Sequence, residues 1–538
     1  MNVPLLTVTA AVPAVGAILT AAVPAARRNA AKWLALLFSL ATLALAVLVA
    51  IRFEPGGDRY QLTESHAWIA DFGVRYELGV DGIAVALIAL TALLIPFVIG
   101  AGWNDADPLA EPISGSATWH SSRWRPTQGF FALILLVEAM VIISFEATDV
   151  FLFYIFFEAM LIPMYFLIGG FGDRAHAGSE ENAAAQRSYA AVKFLLYNLV
   201  GGLIMLAAVI GLYVVAGNFS LQEIAAARAA GTLDMATNTE RLLFLGFFFA
   251  FAVKAPLWPL HTWLPNAMGE STAPVAVLIT AVVDKVGTFA MLRFCLGLFP
   301  DASKWATPVI LVLALISIVY GALVAVGQRD IKRLVAYASI SHFGFIVLGI
   351  FAMTSQGQSG ATLYMVNHGI STAALMLVAG FLISRRGSRL IADYGGVQKV
   401  APVLAGTFLI GGLATLSLPG LAPFVSEFLV LVGTFARYPV VGIIATVGIV
   451  LAALYTLVLY QRTMTGPVKE EVRTMPDLRL REVLVVAPLI VLLIGLGVYP
   501  KPLTEIVNPA VKHTMSDVKQ TDPKPEVVVD AKNGEAAK

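Results

Sequence analysis

Long apolar runs separated by short polar segments follow one another along almost the whole chain. About fourteen of these runs approach the roughly 20 residues that an α-helix needs to cross a bilayer. Backbone groups cannot stay unpaired in hydrocarbon, and no run alternates as a barrel strand does, so each run is predicted to be a membrane-spanning helix. The predicted spans, numbered 1 to 14 in chain order, are 4–25, 31–51, 80–102, 129–147, 150–170, 189–216, 241–268, 273–297, 304–326, 333–355, 360–383, 403–435, 439–463 and 482–500.

Composition supports an all-α polytopic membrane protein and narrows its chemistry. Hydrophobic residues make up 58% of the chain and charged residues 13%, whereas soluble domains carry about 25% charged residues. The net charge of +1 argues against a nucleic-acid partner, which requires a concentrated basic face. Cys295 is the one cysteine, which excludes an internal disulfide and any four-cysteine zinc or iron–sulfur centre. No metal site is predicted, and the chain is expected to carry no electrons itself.

The distribution of basic residues predicts the orientation in the membrane. Loops that follow odd-numbered spans are rich in Lys and Arg, whereas most loops after even-numbered spans are poor in them; the second loop is an exception, with Arg52, Arg59 and Arg75. Because basic loops stay in the cytoplasm, both termini are predicted to be extracytoplasmic, in a bacterial plasma membrane. The basic loop residues are Arg27, Arg28, Lys32, Arg174, Arg187, Arg329, Lys332, Arg333, Arg385, Arg386, Arg389, Lys399, Arg462, Lys469, Arg473, Arg479 and Arg481.

The chain divides into an N-terminal part, two similar halves and a C-terminal part. Residues 220–230 are predicted to form a short amphipathic helix on the outer surface. The polar segment after residue 512 is predicted to be disordered. The predicted divisions are 1–128 with three spans and a loop, 129–300 with spans 4–8, 301–465 with spans 9–13, 466–512 with span 14, and the tail 513–538.

Spans 7 and 12 each contain a proline-rich interruption beside a charge. Span 7 reads KAPLWP at 254–259, and span 12 reads LPGLAP at 418–423, followed by Glu427. Proline removes a helical donor, so both spans are predicted to be discontinuous near the middle of the membrane. They lie five spans apart and run in opposite directions, which predicts two inverted five-helix repeats, spans 4–8 and 9–13. Packing kinks are the alternative for either proline cluster alone, whereas two equivalent clusters favour a transport path.

Several ionisable residues fall in the middle of the predicted spans. A charge there costs about 2.5–3.5 kcal/mol on insertion scales, so such residues are usually paired or functional. Burial disfavours the charged form of a carboxylate or a lysine and pairing favours it, so such groups can exchange protons when the local field changes. The predicted proton relay comprises Glu158, Lys254, Lys285, His342, His368 and Glu427, with Glu138 and Asp284 on a secondary path.

These ionisable residues also have interpretations in which they only stabilise the structure. Glu158 and Lys254 could form a static ion pair that braces the bundle. The two histidines could be hydrogen-bonded core residues, and Asp284 could merely neutralise a neighbour. Arg293, near a predicted helix end, is expected to extend toward the interface, and Glu146 is expected to be solvated there.

At these residues the chain resembles the antiporter-like subunits of respiratory complex I and their relatives in multi-subunit cation/proton antiporters. The segment at 247–267 is similar to the family's broken seventh helix, 330–345 to its ninth-to-tenth helix junction, and 418–428 to its broken twelfth helix. The stretch FLFYIFFEAMLIPMYFLIGGFG at 151–172 resembles the M-type branch of complex I, NADH:quinone oxidoreductase. The resemblance extends over about 75–500.

The resemblance implies roles for the residues of the predicted proton relay, and it implies which subunits are the partners of this chain. It implies that Glu158 and Lys254 form the key pair of the first half-channel and that Lys285 and His342 bridge toward the centre. His368 would continue the path, and Glu427 would be the terminal protonatable group. It implies a non-redox, proton-pumping subunit of a translocase, without NADH, flavin, iron–sulfur cluster or quinone of its own. Flavin and iron–sulfur clusters are expected in partner subunits, and the direct partners are other membrane subunits, neighbouring antiporter-like ones included.

Three positions, Asn266, Met268 and Asp284, depart from the family's pattern. In the family, the broken span 7 usually ends LPDAH, but here it reads LPNAM at 264–268. An acid and a histidine are therefore missing at this mouth, and the sequence does not identify the route by which protons enter from the cytoplasm. Asp284 beside Lys285 is an additional charge. The leading hypothesis is a proton-translocating subunit of NADH:quinone oxidoreductase; the alternatives are a subunit of an Mrp-type sodium/proton antiporter and a membrane spacer with inert ion pairs.

Overall fold

The computed structural model describes residues 4–107, 127–173 and 180–524. Arg174 of the orientation pattern, the loop at 108–126 and the end of the predicted tail, 525–538, lie outside these residues. In the part described, the chain is mostly helical. Its helices are α1 Leu5–Ala21, α2 Arg28–Arg52, α3 Gly82–Ala101, α4 Thr127–Glu146, α5 Val150–Ala159, α6 Leu161–Phe171, α7 Glu180–Ala216, α8 Leu221–Ala229, α9 Thr237–Lys254, α10 Leu264–Glu270, α11 Ala273–Val277, α12 Asp284–Ala290, α13 Pro300–Val326, α14 Ile331–Phe351, α15 Ser355–Arg386, α16 Pro402–Thr415, α17 Ala422–Arg437, α18 Pro439–Met464, α19 Leu480–Val498 and α20 Lys501–Asp517.

The prediction of a polytopic helical membrane protein is confirmed. Among the described residues, eleven helices are long and apolar enough to cross a membrane, and α1 and α16 are shorter apolar helices. The short helix predicted at 220–230 is present as α8, capped by the Ser220 side chain. The predicted tail was placed too early, because α20 continues to Asp517. An apolar stripe that includes Val507 and Val511 is buried, and this packing holds α20 in place.

Two helices are interrupted where the proline clusters predicted it. The first break lies between Lys254 at the end of α9 and Leu264 at the start of α10. The second lies between α16 and α17, from Leu416 to Leu421, where Ser417 and Gly420 adopt positive φ angles of 60° and 94°. Proline cannot donate a helical hydrogen bond, and glycine adopts positive φ without steric cost, so these sequences end the helices locally.

A β-hairpin between α2 and α3 was not predicted. Strand β1, Gln61–Ile69, pairs antiparallel with β2, Val74–Val80, with His66 opposite Tyr76. Most of β1 is exposed or half-buried, so it lacks the apolar alternation that identifies a strand. The hairpin also caps the N-terminus of α1, because a Glu64 carboxylate oxygen accepts a hydrogen bond from the Leu6 backbone N–H at 2.9 Å.

The most buried helices lie at the centre of the bundle. Within the most apolar segment of each helix, every residue is buried in the run 273–296 and 94% are buried in α14 and in α15. The corresponding share is 28% in the helical segment that contains α2 and in α19. The run 273–296 consists of α11, α12 and two π-helical stretches, Leu278–Val283 and Met291–Leu296. These helices carry three of the six predicted relay residues, Lys285, His342 and His368, which therefore lie inside the protein rather than against lipid.

Candidate functional site

The predicted relay residues lie in the interior of the bundle, on α5, α9, α12, α14, α15 and α17. Glu158 on α5 is half-buried. The other relay and secondary-path residues are at most 4% exposed, namely Glu138, Lys254, Asp284, Lys285, His342, His368 and Glu427. Charged side chains are almost never this buried without a structural or functional reason.

Lys285 and His368 are in direct contact at the centre of the protein. The Lys285 Nζ atom lies 2.7 Å from His368 Nδ1 and 4.1 Å from the centre of the Phe343 ring. On its other side, His368 Nε2 lies 3.2 Å from the Thr372 hydroxyl, one helical turn along α15. The 2.7 Å contact lies within the range over which a proton passes directly between two groups.

The path continues from His342 to Glu427 through a tyrosine. The rings of His368 and His342 are 5.3 Å apart between centres. His342 Nδ1 lies 2.5 Å from the Tyr364 hydroxyl, which in turn donates to a Glu427 carboxylate oxygen at 3.2 Å. The Ser417 hydroxyl donates to the same oxygen. His342, Tyr364 and Glu427 are thereby joined by polar contacts, and the Lys285–His368 pair lies next to them without a hydrogen bond between the two histidines.

Tyr364 is the member that the sequence prediction missed. It lies four residues before His368 on α15, a spacing that places both side chains on the same face of a helix. This spacing was available in the sequence, but a buried tyrosine is usually a packing residue, and its hydroxyl partners are on other helices. Tyr455 on α18 was also missed; its hydroxyl lies 3.4 Å from His342 Nε2.

The first half is arranged differently, because Glu158 and Lys254 interact without forming the predicted pair in direct contact. Lys254 Nζ donates to the Phe157 carbonyl at 2.8 Å and lies 3.8 Å from the centre of the Phe157 ring. Glu158 Oε1 has no hydrogen-bond partner in the described part of the chain. The two charges are near enough to interact electrostatically, yet the ammonium is held by a backbone carbonyl.

Glu138 and Asp284 are fully buried carboxylates, and no oxygen of either has a hydrogen-bond partner among the described residues. Asp284 interacts electrostatically with both Lys285 and Lys254. It is therefore near enough to both relay lysines for its charge to affect each of them.

The structure contradicts two expectations for residues at the helix ends. Arg293 does not extend to the interface: it is 4% exposed and donates to the Phe145 carbonyl at 2.9 Å. Its Nη2 also forms an ion pair with Asp81 at 3.2 Å. Glu146 is not solvated but fully buried. Both residues lie under the hairpin between α2 and α3, whose presence the sequence did not indicate.

The altered end of the first break has a defined contact. Lys193 on α7 donates to the Asn266 side-chain oxygen at 3.0 Å, so Asn266 serves as a neutral acceptor there. Elsewhere in the described residues, no group of three or more His, Cys, Asp or Glu side chains is arranged to hold a metal ion.

Comparison with known proteins accounts for this combination of features. Residues 147–452 match the family described as NADH:quinone oxidoreductase/Mrp antiporter, TM. NADH-quinone oxidoreductase subunit M of Mycobacterium tuberculosis H37Rv is 57% identical over 544 aligned residues, covering 98% of this chain and 96% of the relative. The chain belongs to this family.

A more distant relative carries the same subunit name, and solved structures share the fold. The subunit M of Rhodobacter capsulatus is 37% identical, with 92% of both chains covered. A chain of the Thermus thermophilus respiratory complex I with bound NADH superposes with a TM-score of 0.82 at 29% identity, covering 95% of this chain and 99% of that one. A chain of the Mrp complex of Dietzia superposes with a TM-score of 0.81 at 21% identity, which shows that the two chains share a fold.

Proposed function

We propose that this chain is a proton-translocating membrane subunit of NADH:quinone oxidoreductase, and that the buried row of ionisable side chains is its proton path. The observation that carries the proposal is the pair of polar contact series in the interior of the bundle, from Lys285 to His368 and from His342 through Tyr364 to Glu427. No packing requirement explains such a series, since each of these groups must be removed from water without being fully paired.

Three of the four steps from Lys285 to Glu427 join atoms that are already within hydrogen-bond distance. The Lys285 ammonium gives a proton to His368 Nδ1 across 2.7 Å. Further along, His342 Nδ1–H donates to the Tyr364 oxygen while the Tyr364 O–H proton passes to Glu427, so the tyrosine receives one proton as it releases another. The step between the two histidine rings is not a direct hydrogen bond and requires a water molecule or a ring rotation.

In the first half, transfer requires a change in side-chain position. Lys254 is held by the Phe157 carbonyl, and Glu158 lies near it without contact. A change in the field from a neighbouring subunit shifts the balance between the paired and the separated states of these charges. Asp284 transmits the effect, because it interacts with both Lys254 and Lys285.

The finer architecture and the partners belong to the same proposal. Fourteen spans, inverted repeats at spans 4–8 and 9–13, and two extracytoplasmic termini are supported by the two helix breaks and by the basic loops. The subunit M relatives support other membrane subunits of complex I as partners. We expect flavin and iron–sulfur clusters in the partner subunits and no redox centre in this chain, whose single cysteine is buried.

Assembly distinguishes the proposal from an Mrp-type antiporter. A tagged chain, extracted in mild detergent and separated on a native gel, is expected to migrate with NADH dehydrogenase activity. Migration in a smaller assembly, together with sodium-dependent proton exchange in vesicles that lack redox partners, would instead support the antiporter.

The relay itself is tested by substitution in the assembled complex. Glu158→Gln and Lys254→Ala are each expected to lower proton uptake per NADH oxidised in inverted membrane vesicles. Unchanged proton uptake in both variants, with normal assembly, would remove the first half of the relay from the proposal.

A further inference from the structure

The carboxylate of Glu158 lies directly against the backbone of α7 at Gly202. A Cβ atom added to Gly202 would lie 1.8 Å from Glu158 Oε1, 2.1 Å from its carboxyl carbon and 2.5 Å from Oε2. All three distances are too short for any real contact. The carboxylate therefore occupies the space that the side chain of any other residue at 202 would fill.

Gly202 differs in this respect from the glycines that allow helices to approach one another. At Gly287 a Cβ atom would meet the backbone atoms Ala255 N and Phe251 O, each at 2.9 Å, and at Gly246 it would meet the Ala208 Cβ at 2.6 Å. At Gly202 the three nearest atoms all belong to the Glu158 carboxyl group. Glycine weakens a helix interior relative to alanine, and here the space it provides is occupied by a relay carboxylate.

We propose that Gly202 is a positioning residue, which holds the Glu158 carboxylate close to Lys254 but out of direct contact with it. The inference rests on the proposed function, since it assigns Gly202 a role through Glu158. With no Cβ at 202, the carboxylate lies against the α7 backbone, where Oε1 has no hydrogen-bond partner among the described residues. Lys254 meanwhile donates to the Phe157 carbonyl.

An alanine at 202 would displace the carboxylate and leave the helices in place. The atoms that its Cβ meets are the far end of a flexible side chain, so a rotation of the Glu158 side chain relieves the overlap. The carboxylate then leaves its site against the α7 backbone. In its new position it either closes onto Lys254 as a static ion pair or turns away from it, and each result removes the balance from which a change in field can switch the pair.

The test is Gly202→Ala in the assembled complex, with proton uptake per NADH oxidised measured in inverted membrane vesicles. Gly170→Ala on α6 is the matched control, because a Cβ at that helical glycine meets nothing within 4 Å. We expect normal assembly of both variants, a loss of proton uptake for Gly202→Ala that approaches the loss for Glu158→Gln, and wild-type uptake for Gly170→Ala.

A compensating substitution separates positioning from a general packing effect. Aspartate is one methylene shorter than glutamate, so Glu158→Asp withdraws the carboxylate from the space of the added Cβ. The double variant Gly202→Ala/Glu158→Asp is expected to recover part of the proton uptake lost in Gly202→Ala. A loss in Gly202→Ala that the double variant does not relieve would overturn the inference.

The remaining outcomes are also decisive. Wild-type uptake in Gly202→Ala, with reduced uptake in Glu158→Gln, overturns the role of Gly202 and leaves the proposed function intact. Wild-type uptake in Glu158→Gln instead removes Glu158 from the proposed relay and overturns the role of Gly202 with it. If Gly202→Ala fails to assemble, restored assembly in Gly202→Ala/Glu158→Ala supports the contact between the two residues, and continued failure overturns it.

Discussion

The two halves of the relay carry similar residues but arrange them in opposite ways. In the second half, Tyr364 contacts both His342 and Glu427, and His368 contacts Lys285 at the end of the first half. In the first half, the carboxylates of Glu138 and Asp284 have no hydrogen-bond partner among the described residues, nor has Oε1 of Glu158, and Lys254 donates to a backbone carbonyl.

The difference teaches that buried charge serves two purposes in one protein. A chain of groups within hydrogen-bond reach conducts protons with little reorganisation. Unpartnered carboxylates near a lysine are held at a cost and respond strongly to a change in the field, because the surrounding dielectric constant is low. We interpret the first half as the part that responds to the rest of the complex and the second half as the part that conducts.

The largest effect is expected at Lys285, which stands between the two halves. Lys285→Met removes the proton donor of His368 and leaves Asp284 with one lysine fewer nearby. Loss of a positioned acid–base group typically slows proton transfer by about 10²–10⁴-fold. Proton uptake per NADH oxidised should therefore fall to near background.

The matched control is Lys304→Met. Lys304 forms a partly exposed ion pair with Asp301 at 2.7 Å, of a kind worth about 0–1 kcal/mol. Wild-type uptake is expected there. Substantial uptake in assembled Lys285→Met complexes would show that protons bypass the centre.

A smaller effect is expected at Tyr364. Tyr364→Phe removes the hydroxyl between His342 and Glu427 and keeps the ring that packs between them. Loss of a buried hydrogen-bond partner costs about 1–3 kcal/mol, and an activation free energy higher by that amount slows proton transfer by about 5- to 150-fold. The rate of proton uptake at saturating NADH measures this change, and a rate equal to wild type would exclude the hydroxyl from the path.

The smallest effect is expected at Glu138, in the unpartnered half. Glu138→Gln removes a buried carboxylate that has no hydrogen-bond partner among the described residues, so no existing contact is lost. The melting temperature of the complex should stay the same or rise, while proton uptake falls by less than in Tyr364→Phe. Uptake equal to wild type would exclude Glu138 from the secondary path.

Sequence alone predicted the fold in so far as it depends on local patterns. Apolar runs predicted the helices, and the proline clusters predicted the breaks after Lys254 and after Thr415, because both effects act within a few residues. The hairpin at 61–80 was missed because its strands are stabilised by contacts with α1 and α5 rather than by their own alternation.

The site was predicted in its residue types but not in its contacts. Unusual charges in apolar runs identified Glu158, Lys254 and Lys285 without reference to structure. No pattern in the sequence could show that Lys254 faces a carbonyl, that Glu158 lies against Gly202, or that a tyrosine joins two helices. These facts depend on which helices are neighbours and on distances of a few ångströms.

The central claim is that the second half contains a preformed proton path, which runs from His342 through Tyr364 to Glu427. A double-mutant cycle with Tyr364→Phe and Glu427→Gln, measured as proton uptake per NADH oxidised, tests it most directly. If the two residues act in series on one path, proton uptake per NADH oxidised in the double variant is no lower than in the more strongly affected single variant. Two losses that multiply would mean that the residues act independently, and would contradict a single path through both.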